Sequence, residues 1–276
     1  MYTLEFQLDD PISFRTITGP GTPIEETSFS LSLARVSGSA PVTWKGLPEA
    51  QERIFYAASG SGSVGLPTGD LPLGELQVKR VAGDLSAPPI LQATTDDLLV
   101  LAISSNLEPP AETATEADLN EMDGMQFPAR RWGRSITNGT SPIATTGFTA
   151  GLSILGPKGG QVPWHNHPDR QNELYVILQG KAQMCVGDEV VELRGPAAMF
   201  IPGTNWHQLT NVDTQLPVPL IYCYEGSVAA PHWWQERDGI LPPAGAEENP
   251  PLPNGAFPQC TVTDSEEWKR IAGKQF

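Results

Sequence analysis

Histidine is scarce in this chain: there are 4 in 276 residues, and none precedes His165. Basic residues are also few, 17 Lys and Arg against 32 Asp and Glu, for a formal charge of −15. Such a field repels polyanions, so neither nucleic acid nor a membrane surface is expected as a partner. No stretch of about 18 consecutive apolar residues is present to span a bilayer. The opening MYTLEFQLDD has neither the basic start nor the apolar run of a signal peptide, so a cytoplasmic location is expected. Cys185, Cys223 and Cys260 are odd in number and far apart, which fits small buried thiols better than a disulfide framework. A phosphate-cradling loop is missing too, since GSGSVG lies between strand-like runs with no helix after it.

What the chain has in abundance is turns. With 27 Gly and 27 Pro among 276 residues it is too turn-rich for a helical bundle, while 39% hydrophobic content still supports a packed core. Short strands separated by turns predict an all-β fold. Strand-like runs form two blocks, which places an N-terminal domain over 1–108 and a C-terminal one over 148–230. The polar, proline-bearing stretch 109–147 reads as a linker in which Thr115 could cap a short helix. The remainder, 231–276, reads as a proline-rich arm with a second short helix capped by Ser265. The blocks also look like remote copies of one unit. ERIFYAASGSGSV can be laid over NELYVILQGKAQM, with Glu52 retained beside Glu173, and ATTDDLLVLAIS over NVDTQLPVPLIYCYEG.

Three of the four histidines lie close together in the second block. His165 and His167 are separated by one residue, which on a strand turns both imidazoles to one face about 7 Å apart. Glu173 opens the apolar run LYVIL, and His207 follows in IPGTNWHQLTN. Three imidazoles and a carboxylate are a full protein ligand set for one borderline divalent ion, and they leave positions open for water or substrate. Tyr175 and Ile177 share parity with Glu173 and should point the same way. Trp164 and Trp206 precede ligand histidines; alternation turns them towards core or rim, although a pocket walled by indole would suit an aromatic substrate. The cluster ARRWGR, with Arg130, Arg131 and Arg134, could clamp a carboxylate or make salt bridges between domains or subunits. His232 reads as a packing residue, and Asp169 and Arg170 as turn residues facing solvent.

These residues resemble the two motifs of the cupin superfamily. The first, G-x5-H-x-H-x(3,4)-E-x6-G, is met by Gly159, His165, His167, Glu173 and Gly180, with one extra residue before Glu173. The second, G-x5-P-x-G-x2-H-x3-N, is met by Gly195, Pro202, His207 and Asn211, with one extra residue before Pro202 and Thr204 at the second glycine position. The resemblance implies a bicupin: two jelly-roll (double-stranded β-helix) barrels with short helical additions, the first degenerate because it has no histidine. It implies one divalent transition metal per chain, Fe(II) first and Mn, Ni or Zn as alternatives, held by His165, His167, Glu173 and His207. Catalytic roles fall to Glu173 and Tyr175, and a homodimer is the family expectation. The expected function is metal-dependent chemistry on a small molecule. A dioxygenase of an enolic, phenolic or other oxygenated compound comes first; an O2-independent decarboxylase, lyase, isomerase or hydrolase and a non-catalytic binding cupin are the alternatives.

Overall fold

The structure is a computed structural model that describes residues 2–6, 8, 10–25, 27–127, 129–138, 141–167, 171–226, 233–234 and 261–263. Among them none is helical, so no helix is long and apolar enough to cross a membrane. The first strands are β1 (Tyr2–Glu5), β2 (Ile12–Thr18), β3 (Ser30–Ser37), β4 (Val42–Thr43), β5 (Glu52–Ser59), β6 (Gly62–Leu66), β7 (Gly69–Leu73) and β8 (Gln77–Ala82). They are followed by β9 (Ile90–Ala93), β10 (Asp97–Ser105), β11 (Glu116–Asp118), β12 (Gly124–Phe127), β13 (Arg131–Thr137), β14 (Phe148–Leu155), β15 (Gln161–Asn166) and β16 (Glu173–Ile177). The last are β17 (Lys181–Val186), β18 (Glu189–Arg194), β19 (Ala197–Ile201), β20 (His207–Asn211), β21 (Val218–Glu225), β22 (Trp233–Trp234) and β23 (Thr261–Thr263).

The chain divides into two compact units, Gln7–Glu121 with Ile136–Phe148, and Met1–Phe6 with Met122–Ser135 and Thr149–Phe276. In the N-terminal unit a sheet ordered β11-β8-β5-β10-β3-β2 and a sheet ordered β4-β9-β6-β7 enclose a core. Ala34, Phe55 and Val100 supply it from the first sheet, and Val64, Leu73 and Leu91 from the second. The C-terminal unit repeats the plan with sheets ordered β1-β19-β16-β21-β14-β13-β12-β23 and β18-β17-β20-β15-β22. Tyr175, Ile177, Met199 and Leu220 there meet Val162, Met184 and Leu209. The order β8-β5-β10-β3-β2 recurs as β19-β16-β21-β14-β13, and both units are jelly-roll barrels. The central strands ELYVI and ERIFYAAS have few polar positions because their sheets are covered on both faces, whereas EVVELR in β18 keeps its charges at exposed sites.

The stretch 109–147 is not a helical linker. TEADLNEMDGM forms β11 and the start of β12, and β11 pairs antiparallel with β8 through Glu116↔Lys79 and Asp118↔Gln77. A sheet edge in need of hydrogen-bond partners overrides the weak local preference for a helical turn. The N-terminal strand β1 runs beside β19 in the C-terminal unit, with Leu4↔Ala198. The helix expected after Ser265, together with His232, Asp169, Arg170 and Cys260, lies outside the described residues. Cys185 and Cys223 are buried.

Candidate metal centre

β15 and β20 are antiparallel neighbours with His165 directly opposite His207, so a single register brings together residues far apart in sequence. His167 lies just past the end of β15, and Glu173 enters from the opposite sheet as the first residue of β16. All four are buried. Their donor atoms lie within 4.8 Å of one another. Glu173 Oε2 is 2.8 Å from His207 Nε2, 3.0 Å from His167 Nε2 and 3.8 Å from His165 Nε2. The extra residue before Glu173 therefore does not carry it out of the cluster.

The backbone fixes which nitrogens face inward. His165 Nδ1 is 2.7 Å from the Pro163 carbonyl and His207 Nδ1 is 2.8 Å from the Asn205 carbonyl. A carbonyl can only accept, so each Nδ1 carries its hydrogen and Nε2 is turned to the carboxylate. Nitrogen and oxygen lone pairs at such distances repel unless a proton or a cation lies between them. Two ligands at right angles, each about 2.1 Å from an ion, would be about 3.0 Å apart, so the donor set fits one divalent metal. Burial alone would push the Glu173 carboxyl upward, but the His167 and His207 imidazoles outweigh it and hold the group well below the usual carboxylate range.

The surrounding loops are held in place independently of any ion. Asn211 Nδ2 donates to the Leu155, Gly156 and Leu216 carbonyls, which explains a motif asparagine that binds no metal. Thr204, standing at a motif glycine position, has φ of 73°. Its N–H donates to the His167 carbonyl at 3.0 Å, and Asn166 Nδ2 donates to its carbonyl at 3.3 Å. A left-handed β-branched residue costs about 1–2 kcal/mol, only part of which glycine's extra freedom in the unfolded chain offsets. Thr204→Gly should therefore raise Tm by about 2–4 °C, with metal affinity unchanged because both backbone bonds survive. A lower Tm in thermal unfolding would contradict that account.

Tyr175 points into the barrel as its parity predicts, two residues from Glu173 on the same face of β16. Across β16 and β21, Glu173 faces Tyr224 and Tyr175 faces Tyr222. The Tyr224 ring lies 5.5 Å from both the His167 and Tyr222 rings. Burial pushes the Tyr175 and Tyr224 phenols well up and Tyr222 up to about 12, so all three are neutral proton donors at ordinary pH. Nothing in the sequence singled out Tyr222 or Tyr224; their alternate spacing along IYCYEG was the available signal. Trp164 and Trp206 stack on each other at 6.1 Å and are half-buried.

The N-terminal unit shows what replaced this centre. Glu52, expected to match Glu173, lies on the other face of β5, where it pairs with Arg80 at 2.6 Å. Arg53 holds the inward position instead, opposite Ser104 on β10 and hydrogen-bonded to its hydroxyl at 2.8 Å. A buried guanidinium stands where the other barrel has its carboxylate, and its charge would oppose a metal ion.

Comparison with known proteins agrees with the geometry. Residues 151–224 match the cupin domain family. That segment is similar to the cupin family, and the described residues of the chain have a fold of two jelly-roll barrels. Its fold is similar to that of a Lactobacillus farciminis oxalate decarboxylase solved as a formate complex, with 14% identity, a TM-score of 0.61, and coverage of 81% of this chain and 84% of that one. It is also similar to the Bacillus subtilis oxalate decarboxylase studied for its Mn(II) centres, with 13% identity, a TM-score of 0.59 and coverage of 81% and 75%. AerE from Microcystis aeruginosa aligns with 15% identity, a TM-score of 0.56 and coverage of 78% and 97%. No curated protein sequence matches the chain.

Proposed function

We propose that this protein is a mononuclear metal-dependent enzyme acting on a small oxygenated organic molecule in its C-terminal barrel. The observation that carries the reading is the buried convergence of His165, His167, Glu173 and His207, with Nε2 of two histidines directed by backbone carbonyls. A bound ion would supply Lewis acidity towards a substrate oxygen and, if redox-active, electrons for O2. The chain's own residues orient the ligands, exclude water through an apolar barrel and place neutral phenols around the reacting atoms. Tyr175 lies on the same inward face of β16 as Glu173, and its buried phenol keeps its proton.

The reaction we assign first is dioxygenation of an enolic or phenolic substrate, which suits a site walled by aromatic residues. The fold shared with oxalate decarboxylases supports a second reading, O2-independent decarboxylation or isomerisation with a tyrosine as proton donor. Turnover in air and in an anaerobic chamber, with protein loaded with the metal found by elemental analysis, separates them. The first reading expects about one O2 consumed per product, cessation without O2 and inactivity with redox-inert zinc. Full anaerobic turnover would overturn it in favour of the second.

A further inference from the structure

The N-terminal barrel holds a buried cation with no anion beside it. Arg53, the second residue of β5, is 1% exposed. Its parity with Phe55 and Ala57, both members of the core, turns it into the barrel. Nε donates to the Ser104 hydroxyl at 2.8 Å, and Nη2 donates at 2.5 Å to the carbonyl of Pro48, in the loop between β4 and β5. Both acceptors are neutral. Among the described residues no group accepts from Nη1, and no carboxylate pairs with the guanidinium. Arg80, the other buried arginine of this unit, has Glu52 at 2.6 Å. Glu52 adjoins Arg53 in sequence, but alternation puts the two on opposite faces of β5, so one carboxylate cannot serve both. Burial lowers the Arg53 guanidinium to about 10 and nothing acidic offsets the fall, yet the group is still a cation at neutral pH.

The groups next to this cation are donors. Ser104 on β10 is the direct partner of Arg53 on one side and of Ser30 on β3 on the other, so the three share one face of three adjacent strands. Parity with Val100 and Ala102 on β10, and with Ala34 on β3, makes it the face turned to the core. The Ser104 hydroxyl accepts from Arg53 and makes no other hydrogen bond among the described residues, so its own O–H is unspent. The Ser30 hydroxyl likewise has no partner among them, whereas Ser32, one pleat further along β3, donates to Thr16 at 3.1 Å. On its other side the guanidinium meets apolar surface: its carbon lies 6.0 Å from the centre of the Phe55 ring, and that ring lies 6.3 Å from Trp44. A positive charge, an unspent N–H pair and an unspent O–H beside aromatic rings are the recognition elements of a small organic anion. One carboxylate would neutralise the guanidinium, whereas a dianion such as phosphate would bury an excess negative charge.

We propose that Arg53 and the Ser104 hydroxyl form an anion site in the N-terminal barrel that takes the carboxylate of a small monocarboxylic acid without a metal ion. Both residues belong to the unit that lacks the His–Glu cluster, so the site does not rest on the metalloenzyme reading above.

The test is saturation-transfer NMR of the methyl protons of acetate, with acetamide as the uncharged control, on full-length protein at constant ionic strength, metal-loaded and chelator-stripped. Chelator-stripped wild type is expected to bind acetate saturably at millimolar concentration and to prefer it to acetamide by at least about tenfold, the size of a charge-assisted bond. Arg53→Met should abolish the preference and Arg53→Lys keep part of it. Ser104→Ala should weaken acetate binding by about two- to tenfold and leave acetamide binding as it is. Acetate should raise the Tm of the wild type and leave that of Arg53→Met where it was. Equal affinity for acetate and acetamide, no saturable binding of acetate, or a preference that survives Arg53→Met would overturn the site. Should Arg53→Met not fold, acetate binding untouched in both Arg53→Lys and Ser104→Ala would overturn it. Acetate binding confined to metal-loaded protein would assign the carboxylate to the C-terminal centre and overturn it too.

Discussion

Replacing His167 by alanine will give a folded protein that no longer retains a metal ion. The imidazole sits past the end of β15, contributes nothing to the apolar barrel core and directs Nε2 at the Glu173 carboxylate from 3.0 Å. Changing groups that merely support a ligand costs about ten- to a hundredfold in metal affinity, so loss of a ligand should exceed about a hundredfold. The metal-free variant loses one hydrogen bond to a buried carboxylate, worth about 1–3 kcal/mol, and its Tm should fall by about 2–10 °C with tertiary structure intact. Glu173→Gln is the companion measurement: it keeps shape and removes charge, and should weaken binding by about ten- to a hundredfold. Elemental analysis after chelation and competition titration read both. Wild-type metal content in His167→Ala would refute the assignment of the centre.

The clustering of the four candidate ligands was legible in part because residues separated by one on an extended segment share a face, which turns His165 and His167 the same way. The fold followed from the same alternation and from turn density. The comparison of the two barrels was legible only to within one residue, and one residue inverts a strand. Sliding Glu52 onto Glu173 respected residue type, but the core around Phe55 and Ala57 puts Arg53 inward. TEADLNEMDGM was misread because edge pairing with β8 is a property of the sheet that no local window contains. Tyr222 and Tyr224 went unmarked for the same reason: they lie on β21, and their place beside Tyr175 and Glu173 exists only once β21 is paired with β16.

Arg80→Ala should be the most destabilising single change in the N-terminal unit. Glu52 is wholly buried, with one carboxylate oxygen 2.6 Å from Arg80 Nε and the other 3.4 Å from the Thr146 N–H. A guanidinium and a carboxylate taken out of water together can break even, because mutual attraction repays desolvation. Removing one partner strands the other, and no rotation can carry Glu52 back to solvent from a central strand that is buried on both faces. Such losses run to about 3–5 kcal/mol, which for a unit of this size lowers Tm by roughly 10–20 °C. The double replacement Glu52→Met with Arg80→Leu should recover most of it, since it strands no charge and gives up only the long bonds to the Pro110 carbonyl and from the Thr146 N–H. Metal content should stay at the wild-type value in all variants that fold, because every proposed ligand belongs to the other unit. Calorimetric unfolding checks the argument. A Tm within about 3 °C of wild type for Arg80→Ala would mean that Glu52 is neutralised by something other than Arg80.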